Sequence, residues 1–266
     1  MPITNPDYYD IGDLLTEEER LIRSTVRSFV DEEILPVIED HYLDGTFPRD
    51  LVRRIGELGI FGITIPEEYG GGGMDEVAYG VVNQELERGD SGIRSAVSVQ
   101  SSLVMYPIWK YATEEMKRKW LPRLASGEAI GCFGLTEPDF GSNPAGMITT
   151  ARKTDNGYVL NGAKMWITNG SLADVAVVWA KLDGVIRGFV VETDRPGFSA
   201  PEMKGKHSLR ASVTSELVFQ DCEVPETALF PEVKGLRGPF SCLNKARYGI
   251  SWGAIGAAVA CYDSSV

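Results

Sequence analysis

The sequence predicts an α+β protein with a helical N-terminal domain, an antiparallel β-barrel in the middle and the beginning of a helical C-terminal domain. Apolar residues recur at helical spacing as far as about residue 129, short strand-like runs between turn signals follow, and a helical pattern returns after Pro239. Strands without intervening helices favour an antiparallel sheet or barrel over a doubly wound parallel sheet. We therefore expect domains at residues 1–129, 130–236 and 237–266.

Helical periodicity is clearest in the stretch TEEERLIRSTVRSFVDEEI, residues 16–34. Thr16 and Glu19 stand in the register of a capping box, in which each side chain meets the backbone N–H group of the other residue. The apolar residues that follow form one stripe: Ile22, Val26, Phe29, Val30 and Ile34. Further helices are predicted for PRDLVRRIGELG, MDEVAYGVVNQELERG, Ser91 to about Ala112, and TEEMKRKWLPRLASG.

The middle of the chain is predicted to form five strands: MITTARKT, YVLNGAKMWIT, DVAVVWAKL, VIRGFVVET and SVTSELVFQDCEV. The dipeptide Asn156-Gly157 between the first two predicts a hairpin. The helix predicted after Pro239 has small residues from Ile250 to Ala260, which let another helix approach closely. Because this helix is apolar all round, we expect packing partners on several sides, in a segment beyond Val266 or in another subunit.

Composition excludes several classes of protein. The 266 residues carry a formal net charge of −12, which argues against binding nucleic acid or an anionic membrane surface. No apolar run approaches the roughly 20 residues that a membrane span needs. Four cysteines without a C-x-x-C pair and two histidines predict reduced thiols, with neither a disulfide framework nor a metal site. The acidic N-terminus resembles no signal or transit peptide, so we expect a bacterial cytoplasmic protein, or a mitochondrial matrix protein after removal of its transit peptide.

Two stretches carry candidate chemistry: CFGLTEPDFGS, residues 132–142, and KMWITNG, residues 164–170. The first could be only a strand that ends in a Pro-Asp turn. The second, however, also places a hydroxyl beside large apolar residues at a strand end, and the intervening hairpin could bring Thr136 near Thr168. A flat redox-active ring suits such a site, since Trp166 can cover one face while hydroxyls and N–H groups meet the ring heteroatoms.

Together the two stretches resemble the paired flavin-binding motif of the acyl-CoA dehydrogenases. GIRSAVSVQSSLVM and GPFSCLNKARYGISWG are similar to the glutaryl-CoA dehydrogenase branch of that family, and the resemblance extends from about residue 10 to residue 260. It implies the same order of helical, β-barrel and helical domains, with FAD as the cofactor. It also implies the residues that line FAD: Phe133, Leu135, Thr136, Gly141, Ser142, Trp166, Ile167 and Thr168. Ser142 would also contact the CoA chain, and Thr168 would lie near N5 of the ring.

Arg94 is the only charged residue between Ser91 and Trp109. A helix with so little charge is buried, and a buried guanidinium needs a partner. One alternative is an internal ion pair with Glu87 or Glu85. The other is the carboxylate of a ligand, and the resemblance favours it, because it implies that Arg94 and Ser95 bind the substrate carboxylate while Glu87 orients the pocket.

The resemblance also implies that Leu243, Asn244 and Arg247 contact CoA, although an exposed Arg near a helix end is the alternative for Arg247. The reaction implied is removal of a proton from the α-carbon and of a hydride from the β-carbon of an acyl-CoA, most simply glutaryl-CoA. The base in this family is a Glu, which we expect beyond Val266, since the second position used by relatives corresponds to Ala246. We therefore expect a truncated enzyme with weak or no activity, in which no residue of this chain is the catalytic base.

Several alternatives stay open at this point. The substrate could be another acyl-CoA, with Arg94 purely structural, or the chain could be a non-catalytic flavin- or CoA-binding module. The product could be crotonyl-CoA, after decarboxylation, or glutaconyl-CoA. The resemblance implies an electron-transferring flavoprotein as electron acceptor and a homo-oligomer, commonly a homotetramer.

Overall fold

Residues 9–265 are described by the computed structural model, so residues 1–8 and Val266, the outer ends of the first and third predicted domains, lie outside the described residues. The α+β class is confirmed: a helical region is followed by a curled sheet and then by one long helix. The domain boundaries themselves stay predictions. No helix among residues 9–265 has the length and hydropathy required to cross a membrane.

From residue 9 onward the helical region contains seven α-helices: α1 Glu17–Phe29, α2 Leu35–Asp44, α3 Asp50–Glu57, α4 Glu76–Gly89, α5 Ser91–Ser98, α6 Tyr106–Tyr111 and α7 Glu114–Ala125. The capping box of α1 is confirmed. The Glu19 N–H group donates to the Thr16 hydroxyl at 3.2 Å, and the Thr16 N–H group donates to the Glu19 carboxylate at 2.6 Å. The apolar stripe predicted for this helix is buried, except that Ile22 is half-buried.

Two π-helical segments interrupt the long helices. Val30–Ile34 joins α1 to α2, and Val99–Met105 joins α5 to α6, so the predicted helix from Ser91 is continuous to Tyr111. A proline follows each segment, Pro36 in α2 and Pro107 in α6. A proline ring inside a helix clashes with the carbonyl one turn earlier and removes a hydrogen bond, and a widened turn accommodates both effects.

The sheet has seven strands: β1 Gly131–Gly134, β2 Thr150–Thr154, β3 Gly157–Thr168, β4 Val175–Leu182, β5 Val185–Glu192, β6 Phe198–Ser199 and β7 Thr214–Pro225. Their order is β1-β4-β2-β3-β7-β6, with β5 on β4. Four pairings are antiparallel as predicted, but β4 lies parallel to β1 and to β2. The sequence could not indicate this exception, because turn residues specify pairings only between consecutive strands.

The long helix α8, Arg237–Asp263, packs against α4. The close approach predicted from the small residues between Ile250 and Ala260 is confirmed, since Gly253 and Gly256 are buried, and Gly249, just before that stretch, is buried as well. Elsewhere on the same helix Ile250 and Ile255 are 48% and 55% exposed. All four cysteines are free, and three of them are buried.

The predicted hairpin between β2 and β3 is confirmed, with its turn at Asp155 and Asn156. Gly157, the first residue of β3, has φ = +144°, and a Cβ atom there would lie 2.1 Å from the Val224 carbonyl oxygen of β7. The close approach of two backbones therefore requires glycine at this position.

We expect Gly157→Ala to lower the free energy of unfolding by more than about 3 kcal/mol, because the added methyl group forces β3 and β7 apart. Gly184→Ala is the matched control. Gly184 also has a positive φ, of +77°, but a Cβ atom there meets nothing within 4 Å. Its loss should be only the roughly 1–2 kcal/mol of a strained backbone. Urea denaturation measures both, and equal losses would contradict the assignment of the close contact.

Candidate functional site

The two motifs that the sequence singled out lie side by side. The Met165 N–H group donates to the Thr136 carbonyl at 2.9 Å. Lys164 Nζ donates to Glu137 Oε1 at 2.8 Å and to the Leu135 carbonyl at 3.2 Å. The segments 132–142 and 164–170 are therefore joined through both backbone and side chains.

The Lys164–Glu137 ion pair is almost completely buried, with 0% and 1% of the two side chains exposed. Glu137 also accepts from the N–H groups of Ile148, at 2.6 Å, and Thr149, at 3.0 Å. Burial works to raise the pKa of the Glu137 carboxyl, but hydrogen bonds from the Ile148 N–H group and from Lys164 outweigh it and hold this pKa below its usual range. Burial lowers the pKa of the Lys164 ammonium to about 8, although Glu137 opposes the shift.

Trp166 lies on an irregularity of β3. The register between β3 and β7 shifts between Lys164 and Ile167, and Trp166 has φ = +64°, a strained conformation for a bulky residue. Its side chain is 63% exposed. Such bulges re-aim a side chain and often lie beside functional sites. The bulge thus presents a large aromatic surface that is not packed into the core.

Asn169 fixes the backbone just after β3. It is buried, has φ = +66°, and its amide group donates to the carbonyls of Ala96, at 3.4 Å, and Gly131, at 3.3 Å. The end of β3 is therefore tied both to α5 and to β1. Asn169 stands in the motif KMWITNG, but no role was predicted for it, although an Asn-Gly pair at a strand end favours a left-handed backbone conformation.

A cleft of about 370 Å³ opens beside Trp166. The structure brings together in its wall all eight residues that the sequence proposed for the cofactor: Phe133, Leu135, Thr136, Gly141, Ser142, Trp166, Ile167 and Thr168. Phe133, Leu135 and Ile167 are buried, whereas Gly141 and Ser142 are exposed at the rim. The wall is therefore apolar with a few hydroxyls, which is the composition of a small-molecule site.

Helix α8 supplies part of the wall through Leu243 and Arg247, both proposed for CoA. Arg247 is exposed, and its Nη1 donates to Asn244 Oδ1 at 2.8 Å. Asn244 itself is exposed and does not line the cleft. Arg247 is the only charged residue among the described residues of the wall. No described carboxylate lines the cleft, and Ala246 does not line it either.

Four lining residues were missed by sequence analysis: Val99, Leu103, Pro144 and Phe240. Val99 and Leu103 belong to the π-helical segment between α5 and α6, and such segments are frequent at functional sites. The signal available in the sequence was Pro107, which interrupts a predicted helix.

Arg94 and Ser95 do not line this cleft. Arg94 is 7% exposed, and its Nε forms an ion pair with Glu87 Oε2. The other oxygen of Glu87 accepts from the Ser91 hydroxyl. Glu85, the second candidate partner, instead pairs with Arg27 at 2.9 Å and Arg88 at 3.2 Å. The internal ion pair is thus present, and it is formed with Glu87.

The ion pair uses only one of the three nitrogens of the Arg94 guanidinium. Within residues 9–265 the two terminal nitrogens, Nη1 and Nη2, have no hydrogen-bond partner, and both have some surface accessible to solvent. A guanidinium carries five N–H donors, so four of them are available to a ligand. The ion pair and the ligand role are therefore compatible, and the ligand role stays a prediction.

Fold and cleft together define a class of protein. Residues 16–128 match the family described as acyl-CoA dehydrogenase, N-terminal domain, and residues 132–222 match the acyl-CoA dehydrogenase middle domain. The chain belongs to the acyl-CoA dehydrogenase family.

Individual relatives agree with this assignment. An acyl-CoA dehydrogenase of Bacillus subtilis is 38% identical over 95% of this chain and 68% of its own length. A mitochondrial short-chain specific acyl-CoA dehydrogenase of Rattus norvegicus is 35% identical over 95% of this chain and 63% of its own. The crystal structure of a glutaryl-CoA dehydrogenase from Mycobacterium smegmatis, in complex with FADH2, is 55% identical, with a TM-score of 0.93 over 95% of this chain and 65% of that one. This chain thus spans 63% of the length of the first curated relative.

We expect Glu137→Gln to lower the free energy of unfolding by about 3–5 kcal/mol, because it leaves the Lys164 ammonium buried without its carboxylate. Combining it with Lys164→Met should recover part of this loss, so that the two substitutions are not additive. Glu226→Gln is the control, since Glu226 and its partner Lys153 are exposed, and no measurable change is expected. Urea denaturation of the single and double variants tests the interaction. A Glu137→Gln variant as stable as the control would contradict it.

Proposed function

We propose that the cleft beside Trp166 binds the isoalloxazine ring of FAD together with the thioester end of an acyl-CoA. One observation carries this proposal. Trp166 is 63% exposed at a strained backbone position, and it lines the same cleft as the hydroxyl-bearing residues Thr136 and Thr168. A mobile or unused surface would not need a strained aromatic residue held next to a buried ion pair.

The residues present fit a flavin ring. Trp166 can stack on one face of it, and the hydroxyls of Thr136 and Thr168 can form hydrogen bonds with its nitrogen and oxygen atoms. Phe133, Leu135 and Ile167 supply apolar surface that excludes water. FAD, when bound, accepts the hydride that leaves the β-carbon of the acyl chain. Further support comes from the Mycobacterium smegmatis relative, which was crystallised with FADH2.

Arg247 is proposed to hold the CoA portion, because it is the one cation among the described residues of the wall and CoA carries phosphates. Leu243 lies beside it, while Asn244 would act by holding the Arg247 side chain through its 2.8 Å hydrogen bond. Ser142 at the rim is proposed to contact both FAD and CoA.

Arg94 is proposed to bind a carboxylate at the far end of the acyl chain, which would make glutaryl-CoA the substrate. It lies five residues before the lining residue Val99 on one continuous helix, a rise of about 8 Å along the helix axis at 1.5 Å per residue. Two unpaired N–H-bearing nitrogens on an otherwise buried guanidinium suit a carboxylate. Ser95, half-buried on the next position, would add a hydroxyl. Both crotonyl-CoA and glutaconyl-CoA are compatible products.

No described residue of the cleft is a carboxylate, so the wall offers no general base for the α-proton. General-base assistance contributes about 10²–10⁴ in rate. We therefore propose that these residues bind flavin and thioester, with weak or no dehydrogenation by them alone. An electron-transferring flavoprotein as acceptor and a homo-oligomeric assembly are proposals that rest on the family resemblance.

We expect the purified chain to bind FAD, observed as a shift of the visible flavin spectrum and quenching of tryptophan fluorescence. Trp166→Ala should weaken this binding about tenfold, the equivalent of roughly 1.4 kcal/mol of lost stacking. Trp109→Phe is the control, because Trp109 is half-buried on α6 and does not line the cleft. A chain that does not bind FAD, or a Trp166→Ala variant that binds it unchanged, would contradict the proposal.

We expect the FAD-loaded chain to bind glutaryl-CoA more tightly than butyryl-CoA, and Arg94 to cause the difference. Removing both charges with Glu87→Gln/Arg94→Gln avoids leaving Glu87 unpaired. This variant should bind glutaryl-CoA on the order of 10- to 100-fold more weakly, the equivalent of about 1.5–3 kcal/mol, and butyryl-CoA within about twofold of the original chain. Isothermal titration with both thioesters is the measurement. An equal loss for the two would assign Arg94 a structural role only.

A further inference from the structure

Three glycines of α8 face α4, but they meet different kinds of atoms. A Cβ atom added at Gly256 would lie 2.0 Å from the Gln84 carbonyl oxygen, and one at Gly249 would lie 2.8 Å from the Tyr79 hydroxyl. A Cβ atom at Gly253 would lie 3.1 Å from Glu87 Oε2 and 3.4 Å from Arg94 Nε. Gly253 is therefore in direct contact with the buried ion pair.

The atoms that an added Cβ atom would meet at these glycines differ in how easily they can move. A backbone carbonyl of α4 cannot shift without moving the helix, so Gly256 sets the distance between α8 and α4. A carboxylate at the end of a side chain can shift by a few tenths of an ångström. A methyl group at residue 253 would therefore displace the Glu87 carboxylate and leave the helix packing in place.

The Glu87 carboxylate has little freedom to find a second arrangement. It is held by the Ser91 hydroxyl on one oxygen and by Arg94 Nε on the other, and only 9% of its side chain is exposed. Both hydrogen bonds involve a charged group, and charge-assisted hydrogen bonds depend strongly on geometry. A small displacement of Glu87 would therefore move the guanidinium with it.

We propose that Gly253 is a specificity-determining residue, because its missing side chain leaves the Glu87 carboxylate in place on Arg94 Nε, so that Nη1 and Nη2 are presented to a terminal carboxylate of the acyl chain. The proposal rests on the binding of an acyl-CoA proposed above. A side chain at residue 253 would turn the guanidinium and favour neutral acyl chains.

The position of Gly253 along α8 fits this role. Arg247, in the wall of the cleft, precedes Gly253 by six residues, about 9 Å along the helix axis. One rigid helix thus contacts the proposed CoA end of the ligand and supports the ion pair at the opposite end. Gly253 acts through Glu87 and Arg94, so it is a positioning residue.

The test uses Gly253→Ala in the full FAD-loaded chain, with Gly256→Ala and Ser251→Ala as controls. Affinity for glutaryl-CoA and for butyryl-CoA is measured by isothermal titration, and stability by urea denaturation. Gly253→Ala should bind glutaryl-CoA about tenfold more weakly and butyryl-CoA within about twofold of the original chain, with no fall in the urea midpoint. Gly256→Ala should lower the midpoint, and the exposed Ser251 should tolerate alanine without effect.

The outcomes separate this inference from the proposed function. If the original chain binds neither thioester, the proposed function fails and this inference falls with it. If the original chain prefers glutaryl-CoA and Gly253→Ala keeps that preference, only the role of Gly253 is overturned. A Gly253→Ala chain that loses stability as Gly256→Ala does, or fails to fold, would also overturn it, because Gly253 would then set the helix spacing.

Discussion

The buried ion pair between Lys164 and Glu137 is the constraint on which the cleft depends. It joins a loop after β1 to the end of β3, segments that are separated by 26 residues, and it takes two further N–H groups of the loop as donors. Burying either charge of the pair without the other would be costly, so few other arrangements of the two segments are favourable. The positions of Thr136, next to Glu137 in sequence, and of Trp166, two residues after Lys164, follow from it. We interpret the Glu of Thr-Glu-Pro accordingly as a residue that fixes the loop.

Local patterns in the sequence predicted much of the fold, and the missing parts are non-local. The capping box of α1, the β2–β3 hairpin and the glycine-rich face of α8 depend on residues a few positions apart, so periodicity and turn chemistry were sufficient. The parallel partners of β4 and the partner of Lys164 depend on contacts between distant segments. The eight cofactor residues were found together because the paired flavin-binding motif carries this non-local information, whereas Val99 and Leu103 lie outside that motif and were not predicted to line the cleft.

Arg94 shows why two alternatives drawn from sequence need not exclude each other. Burial of a guanidinium demands a partner, and the structure provides Glu87 for one nitrogen. A planar group with donors on three nitrogens can satisfy an internal carboxylate on one edge and still offer another edge. Because Glu87 already holds Arg94 Nε, a ligand carboxylate would arrive at a guanidinium that is already oriented, with little loss of side-chain entropy on binding.

Because the chain as a whole is acidic, the positions of Arg94 and Arg247 matter for the binding of an anionic ligand. With a formal net charge of −12, the protein repels an anionic ligand at long range, so any favourable field must come from groups close to it. Two such groups are Arg247, on α8 at the cleft, and Arg94, on α5 beside Gly253 of α8. A dicarboxylic acyl-CoA is anionic at both ends and neutral in its thioester region, which is the pattern that an apolar cleft with one cation in its wall and a second one outside it would select. Selectivity in this arrangement would come from the spacing between Arg247 on α8 and Arg94 on α5, so the packing of these two helices would set the length of acyl chain that fits.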